Sequence, residues 1–282
     1  MLSVEELEDK LIDLAFAEDI GDGDHTTLCC IPEKEMGKSH LLVKEDGILA
    51  GVEVAKKVFS RFDPTMKVDV LLKDGTPVKK GDIAFVVTGK VRSLLQTERT
   101  MLNIMQRMSG IATMTHRYVE RIAGTGAHVL DTRKTTPGMR VLEKQAVKIG
   151  GGMNHRIGLF DMILLKDNHI DFAGGISNAI SRCHEYLKQK NLDLKIEIEV
   201  RNFEELQQVL DCGGVDRIML DNFSVPDTRK AVELINHRFE TESSGGITFD
   251  TIRDYASQGV DFISVGALTH SVKGLDLSFK AC

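Results

Sequence analysis

At 282 residues, with 42% hydrophobic and 28% charged side chains, the chain is large enough for one α/β barrel or two ordinary domains and too evenly composed to be a disordered tail. No apolar run reaches the ~18 residues of a membrane span; five cysteines without CxxC spacing and nine histidines without an HExxH or HxH pattern argue against a disulfide framework, a zinc knuckle and a His-built metal centre. The net charge of −6 is unevenly spread, since Asp131 to Ile170 holds seven Lys or Arg against four acids, and one cationic stretch in an acidic chain suits a small anionic ligand better than a nucleic acid.

Residues 3–17 place Val4, Leu7, Leu11, Leu14 and Ala15 at helical spacing behind Ser3, which predicts an amphipathic helix, capped by Ser3 and docked on a sheet. The segment is acidic where a signal peptide would be basic and then apolar, so a cytoplasmic location is expected. The loop EDIGDGDHTT (18–27) carries Asp19, Asp22 and Asp24 but lacks the closing glutamate of a calcium loop, and reads as a structural turn. From 36 to 90, short alternating runs (SHLLVKEDGILAG, MKVDVLLKDG, DIAFVVTG) around the helical VEVAKKVFSRF indicate an α+β domain. The piece KDGTPVKKGDIAFVVTG has the turn pattern of lipoyl and biotinyl carrier domains, but no lysine sits at a hairpin tip. Ser93 to Ile122 predicts one or two long helices with a methionine-lined core stripe, in which Glu98 and Arg99 read as solvent-facing.

After residue 127 strand-length runs (AHVLDT, DMILLK, KIEIEV, RIMLDN, HRFETE, DFISVG) alternate with helix-length segments whose start signals include Asn202 with Glu205 and Ser224 with Pro226. Six such units without a GxGxxG fingerprint favour a barrel over a doubly wound sheet. Barrel ligands lie at the carboxyl ends of the strands, which here carry Arg133, Lys134, Lys166, Glu199, Asp221, Ser243, Ser244, Gly245, Gly246 and Gly266. The cations suit carboxylate or phosphate groups. Glu199 and Asp221 suit Mg²⁺ or a developing positive charge on a sugar carbon, and the glycine-rich ends suit a phosphate. Glu197 shares the parity of Glu199 and also fits the barrel interior. Lys144 and Lys148, one helical turn apart, read as a solvated helix surface.

The motifs EDIGDGDHTT, ERTMLNIMQRMSGIAT, DTRKTTPGMR, GGGMNHRIGLFDMILLKDNHI, IEIEV, IMLDNF, ESSGGI and VGALTHS, in order from residue 18 to 271, resemble the quinolinate phosphoribosyltransferase family. The resemblance implies an N-terminal α/β sandwich domain (1–110), joined by the C-terminal tail (about 270–282), followed by an open α/β barrel (111–269). It implies that quinolinate and 5-phosphoribosyl 1-diphosphate give nicotinate mononucleotide, diphosphate and CO₂, with Mg²⁺. By the same resemblance Thr132, Arg133, Lys134, His155, Arg156 and Lys166 bind the pyridine dicarboxylate and nearby phosphate, and His155 acts as an orienting donor. Glu199 and Asp221 lie at the ribose and metal, and the loops Ser243 to Gly246 and Gly266, Ala267 and Leu268 hold phosphate. Lys134, Lys166, Glu199 and Asp221 are then the expected catalytic residues. The family also implies a homo-oligomer, dimer or hexamer, in which Arg99 reaches the neighbouring subunit's site. Two other readings compete: a class I aldolase-like barrel with Lys166 as Schiff-base nucleophile, and a paralogue of this scaffold linked to molybdenum transport.

Overall fold

The computed structural model describes residues 2–282, and none of its helices is long and apolar enough to cross a membrane. In chain order the first elements are α1 (Val4–Ile20), α2 (His25–Cys30), β1 (Met36–Val43), β2 (Gly47–Ile48), α3 (Val52–Phe62), β3 (Lys67–Val70), β4 (Pro77–Val78), β5 (Ile83–Lys90) and the long α4 (Val91–Arg121). There follow β6 (His128–Leu130), α5 (Arg140–Ile149), β7 (Ile163–Leu165), α6 (Asp167–Ala173), α7 (Ile176–Lys190), β8 (Ile196–Val200) and α8 (Phe203–Cys212). The last are β9 (Arg217–Asp221), α9 (Val225–Ile235), β10 (Glu240–Ser244), α10 (Ile252–Ala256), β11 (Phe262–Ser264), α11 (Ala267–His270) and β12 (Leu277–Ala281).

The chain divides into two compact units, one formed by Met1–His116, Thr135–Gly151 and Leu268–Cys282, the other by Arg117–Lys134 and Gly152–Ala267. In the first, an antiparallel sheet of order β12-β1-β5-β3 is covered by α3, whose Phe59 meets Phe85 edge-on and stacks on Phe279. The C-terminal tail does return, pairing β12 with β1 from Ser39↔Ala281 to Val43↔Leu277. The methionine stripe is core: Met101, Met105 and Met108 on the single helix α4 are buried, and Ser109 of the same helix exchanges hydrogen bonds with the backbone of Ala50.

Three expectations change here. Helix α1 has the predicted Ser3 capping box, but it rests on helices and not on a sheet. Its Glu8 and Asp9 meet Lys57, its Asp13 takes Arg61 of α3, and Glu8 also holds Gln145 of α5. Charge pairing on one side, with Ile12 as the buried apolar contact, leaves Val4, Leu7 and Leu14 exposed. The turn at 18–27 becomes α2 from His25, with Asp24 as its N-cap accepting from Thr27 N at 3.0 Å, so one of the three acids caps a helix. The third change concerns Thr135–Gly151, read from sequence as part of the barrel, which packs with the first unit. A Cβ on Gly150 would lie 2.4 Å from Ala112 O of α4, so α5 abuts that helix directly. Glu143 of α5 accepts from Arg107 Nε at 2.7 Å. Wedged in this way, α5 also buries Lys144, which is not the solvated lysine expected, whereas Lys148 is exposed.

The second unit is a six-stranded parallel sheet of order β6-β11-β10-β9-β8-β7, in which β6 and β7 are edges without mutual pairing. One face is apolar: Leu165, Ile196, Ile198, Val200, Ile218 and Leu220 bury against Ile180 of α7, Leu206 and Val209 of α8, and Ala231 and Ile235 of α9. The helix starts are where the sequence put them, Asn202 accepting from Glu205 N at 2.9 Å and Ser224 from Asp227 N at 3.2 Å with Pro226 in the first turn. Right-handed βα units demand this layering, because each helix returns along the sheet to set up the next parallel strand.

Candidate active site

Strand period two sends alternate residues of β8 to opposite faces. Ile196, Ile198 and Val200 face the helices, so Glu197 and Glu199 face the other way. Register extends that parity: Leu164 pairs with Glu197, Glu197 with Arg217, Glu199 with Met219, Asp221 with Ser244, and Glu242 with both Met219 and Phe262. The face away from the helices therefore carries Glu197, Glu199, Arg217, Asp221, Glu240, Glu242 and Ser244. Acids in such positions need partners, because a buried unpaired carboxylate is costly. The partners fall in two tiers.

The tier at the carboxyl ends contains the predicted ligand residues. Lys166 Nζ, just past β7, contacts Glu199 Oε1. Asp221, at the end of β9, accepts from Asn222 Nδ2 at 2.8 Å. Arg156 is 9% exposed and donates from Nη1 to Met162 O at 3.2 Å. Burial, and then the positive charge of Arg133, pull its pKa down, while Glu197, Asp161 and Glu199 pull it up. Arg133 lies close enough to be felt by Arg156, and its buried Nε has no hydrogen-bond partner among the described residues. Thr132 Oγ1 accepts from Lys134 N at 3.0 Å, which turns the chain and leaves Lys134 exposed. Arg133, Arg156, Glu199 and Lys166 thus form one cluster.

After β10 the chain turns through Gly245 (φ +96) and Gly246 (φ +62), a left-handed pair that disfavours side chains. A Cβ on Gly245 would lie 2.2 Å from Asn222 Oδ1 and 2.9 Å from Asn222 N, so the backbone there is bare and closely approached. Ser244 shares the face of Asp221, but Ser243 does not. Its register partners are Leu220 and Ile263, and its hydroxyl is buried without a hydrogen bond, so a phosphate could meet only its backbone. Gly266 and Ala267 follow β11, and Leu268 is fully buried as the first residue assigned to the other unit. Arg99 is exposed on α4 in the first unit.

The deeper tier was largely missed from sequence. Glu197 and Glu242 are both fully buried, and burial pushes their carboxyls up to about 7 and about 8. The two carboxyls are close enough that the charge of Glu197 adds to the rise at Glu242. Glu242 Oε2 also accepts from Arg217 Nη1 at 3.0 Å, and Arg217 lies 3.9 Å over the Phe262 ring. His155 Nε2 stands 2.9 Å from Glu197 Oε2 and 3.7 Å from Glu242 Oε2. Asp131, buried after β6, accepts from His155 N at 2.9 Å and from Asn154 Nδ2 at 2.5 Å. The alternation of acids in IEIEV and ETESS was the available signal for this tier. By distance alone His155, Glu197 and Glu242 could ligate a metal. However, Nδ1 accepts a backbone N–H, so a neutral ring carries its proton on Nε2, the atom a metal would need, and the Arg217 guanidinium already occupies Glu242 Oε2.

The fold and this face define an open parallel barrel whose cationic mouth is built for a small polyanion. Models of the quinolinate phosphoribosyl transferase N-terminal and C-terminal domains match residues 24–109 and 111–280. A chloroplastic nicotinate-nucleotide pyrophosphorylase [carboxylating] of Arabidopsis thaliana is 49% identical, covering 96% of this chain and 81% of the relative. A probable nicotinate-nucleotide pyrophosphorylase [carboxylating] of Bacillus subtilis is 40% identical over 95% and 91%. Among solved structures, NadC from Streptococcus pyogenes superposes with a TM-score of 0.92 at 40% identity, covering 99% of this chain and 97% of that one. The chain belongs to the quinolinate phosphoribosyltransferase family.

Proposed function

We propose that the protein transfers the phosphoribosyl group of 5-phosphoribosyl 1-diphosphate to the ring nitrogen of quinolinate and releases CO₂, giving nicotinate mononucleotide and diphosphate for NAD biosynthesis. The observation that carries this reading is the pair Arg133 and Arg156. Two guanidinium groups, one of them buried, stand beside each other with no carboxylate hydrogen-bonded to either, an arrangement that a doubly charged pyridine relieves.

Fixing both carboxylates points the ring nitrogen at a defined place, which converts ribosyl transfer into a reaction between oriented groups. As the diphosphate departs, positive charge grows on the sugar carbon. Glu199 and Asp221 stabilise that charge, while Lys134 and Lys166 offset the charge of the leaving group. The bare backbone at Gly245 and Gly246 suits the sugar phosphate. Once the nitrogen bears ribose, it is a cation next to the carbon that holds the adjacent carboxylate. Loss of CO₂ leaves an electron pair on that carbon, the ring cation neutralises it, and a proton then replaces CO₂. The Lys166 amine is already held by Glu199 Oε1, which suits a fixed point charge better than a free nucleophile and speaks against the aldolase reading.

Glu199 and Asp221 fit Mg²⁺ as hard oxygen donors on one face. Two carboxylates are too few for an all-protein cage, and Mg²⁺ commonly completes its shell with substrate phosphates and water. Bound there, the ion would neutralise the diphosphate as it leaves. We read the working form as a homo-oligomer, dimer or hexamer, completed by Arg99 from a neighbouring subunit, and its location as the cytoplasm, although plant relatives carry organellar names.

Incubation with quinolinate, 5-phosphoribosyl 1-diphosphate and Mg²⁺ should release CO₂ and diphosphate in equal amounts, and nicotinate in place of quinolinate should not support turnover. No diphosphate from the complete mixture would refute the reading. Thermal stabilisation by molybdate alone, without stabilisation by quinolinate, would favour the molybdenum-linked alternative. For the shared site, subunits carrying Arg99→Ala are mixed with subunits carrying Lys166→Ala. Partial recovery of activity supports it, and no recovery counts against it.

A further inference from the structure

The segment from Ile157 to Met162, between Arg156 and β7, belongs to no helix or strand. Its apolar side chains do not shape it: Ile157, Leu159 and Phe160 are 37%, 72% and 49% exposed, so burial does little to hold the loop in one form. Phe160 does lie on Gly158, where a Cβ would meet its ring at 2.4 Å, but that contact stays within the loop. An exposed loop with so little apolar anchorage keeps a single shape through polar bonds. Asp161 supplies two of them.

Asp161 Oδ2 accepts from Ile157 N at 2.7 Å and Oδ1 from Gly158 N at 2.8 Å, so both carboxylate oxygens reach back to the two residues that follow Arg156. Bonds to an ionised acceptor are about twice as strong as neutral ones, and a pair of them from one carboxylate fixes orientation as well as distance. The chain is thereby folded back on itself, which returns the carbonyl of Met162 to the Arg156 side chain: Met162 O accepts from Arg156 Nη1 at 3.2 Å. The guanidinium is thus tethered at the far end of its own loop. The charge of Asp161 also favours the protonated guanidinium. Because its oxygens are engaged by the two amides, it offsets that charge without taking the N–H groups that a substrate carboxylate would use.

We propose that Asp161 is a positioning residue for quinolinate binding: its carboxylate clasps the Ile157 and Gly158 amides, closes the loop, and so holds Met162 O where it fixes the Arg156 guanidinium. This rests on the reading of Arg156 as a quinolinate ligand. Asp161 itself touches no substrate. Its effect runs through Arg156 alone and is therefore selective for one of the two substrates. A group displaced by about 1 Å from its productive place can cost on the order of 100-fold in rate.

The test compares Asp161→Ala and Asp161→Asn in the full-length enzyme, with kinetics for each substrate and backbone amide spectra of Ile157 and Gly158. Asp161→Ala should raise the KM for quinolinate by about 10-fold or more while the KM for 5-phosphoribosyl 1-diphosphate stays within about twofold. Asp161→Asn keeps one acceptor oxygen but replaces the other with a donor, which cannot accept from an amide, so it should raise the same KM and only that one. In an Arg156→Ala background Asp161→Ala should add nothing, because the route to substrate is already cut. The Ile157 and Gly158 amide protons should resonate downfield in the parent and move upfield in Asp161→Ala. Equal losses for both substrates, full additivity with Arg156→Ala, or amide shifts that ignore the substitution would overturn the proposal. If Asp161→Ala does not fold, the two KM values of Asp161→Asn decide it, because an unchanged quinolinate KM, or a rise shared by both substrates, is also fatal. A parent enzyme that ignores quinolinate would refute the functional reading instead, and the amide spectra would still report whether Asp161 closes the loop.

Discussion

The two faces of the barrel sheet are made from the same six strands and obey opposite rules. The helix-covered face is a continuous apolar layer in which Ile198, Ile218 and Leu220 bury against three helices. The inner face alternates with it residue by residue and is charged, with Glu197, Arg217 and Glu242 at depth and Glu199 and Asp221 at the mouth. The apolar layer supplies free energy without direction, since burial depends on area. The charged layer supplies direction with little net free energy, since each ion that leaves water must be compensated by a partner. A substitution on the first face should therefore appear as lost stability with intact specificity, and one on the second as lost specificity with the fold retained.

The largest break of that comparison is expected at Arg156. Removing the guanidinium leaves a substrate carboxylate unpaired in a buried site, a loss of about 2–5 kcal/mol in binding or transition-state stabilisation. Arg156→Ala should lower kcat/KM for quinolinate by roughly a hundredfold or more, with a near-native circular dichroism spectrum. Normal turnover would remove Arg156 from the site. On the opposite face Ile198 is fully buried among β8 neighbours and α7 and α8, and Ile198→Ala should cost about 2–5 kcal/mol in denaturant unfolding. Its KM values should stay put, and a selective change in one of them would blur the division between the faces.

Much of this division can be read from the sequence. The alternation IEIEV declares both faces of β8 at once, and RIMLD and ETESS repeat the device. The proposed ligand residues Arg133, Lys166, Glu199 and Asp221 stand out because they lie at strand ends. What the sequence hid was pairing over distance. Nothing within a few residues of Glu242 announces Arg217 or His155, and only the parallel register brings them together. The same limit explains α5: its Lys144 looks solvated until the helix is seen wedged against α4, with Arg107 on the neighbouring Glu143. It also explains α1, whose acidic side finds Lys57 and Arg61 more than forty residues away and so leaves the apolar stripe outside. Ser243 was misplaced for the opposite reason: a run of small residues tells nothing about parity, and only register puts its hydroxyl on the apolar side.

Gly245 sharpens the comparison at the sheet's rim. At φ +96, with the Asn222 backbone 2.9 Å from where a Cβ would sit, Gly245→Ala must both strain the turn and push Asn222, the neighbour of Asp221. A left-handed alanine costs about 1–2 kcal/mol. The expected outcome is a lower melting temperature together with a raised KM for 5-phosphoribosyl 1-diphosphate and an unchanged KM for quinolinate. An increase confined to quinolinate would mean that the turn serves the wrong substrate.

The smallest effect, and the one that isolates electrostatics from packing, is the pH dependence of stability. Glu242 is raised to about 8 in the folded protein, by burial first and then by Glu197, against its ordinary value of 4.5. His155, Arg217 and Ser264 oppose the rise without cancelling it. In the unfolded chain the carboxyl loses its proton near 4.5, whereas in the folded chain it keeps it until about 8. The folded state therefore binds more protons across that window, and this group's contribution to stability is complete below the lower value and is lost as pH rises through the upper one. Glu242→Gln removes the titration. The melting temperatures of variant and parent should lie closest near pH 5, and the difference should then move by a few degrees in favour of the variant up to about pH 8, flattening above it. A difference that moved the other way would mean that Glu242 is ionised throughout and that Arg217 outweighs its burial, in which case the inner face is held by charge pairing alone.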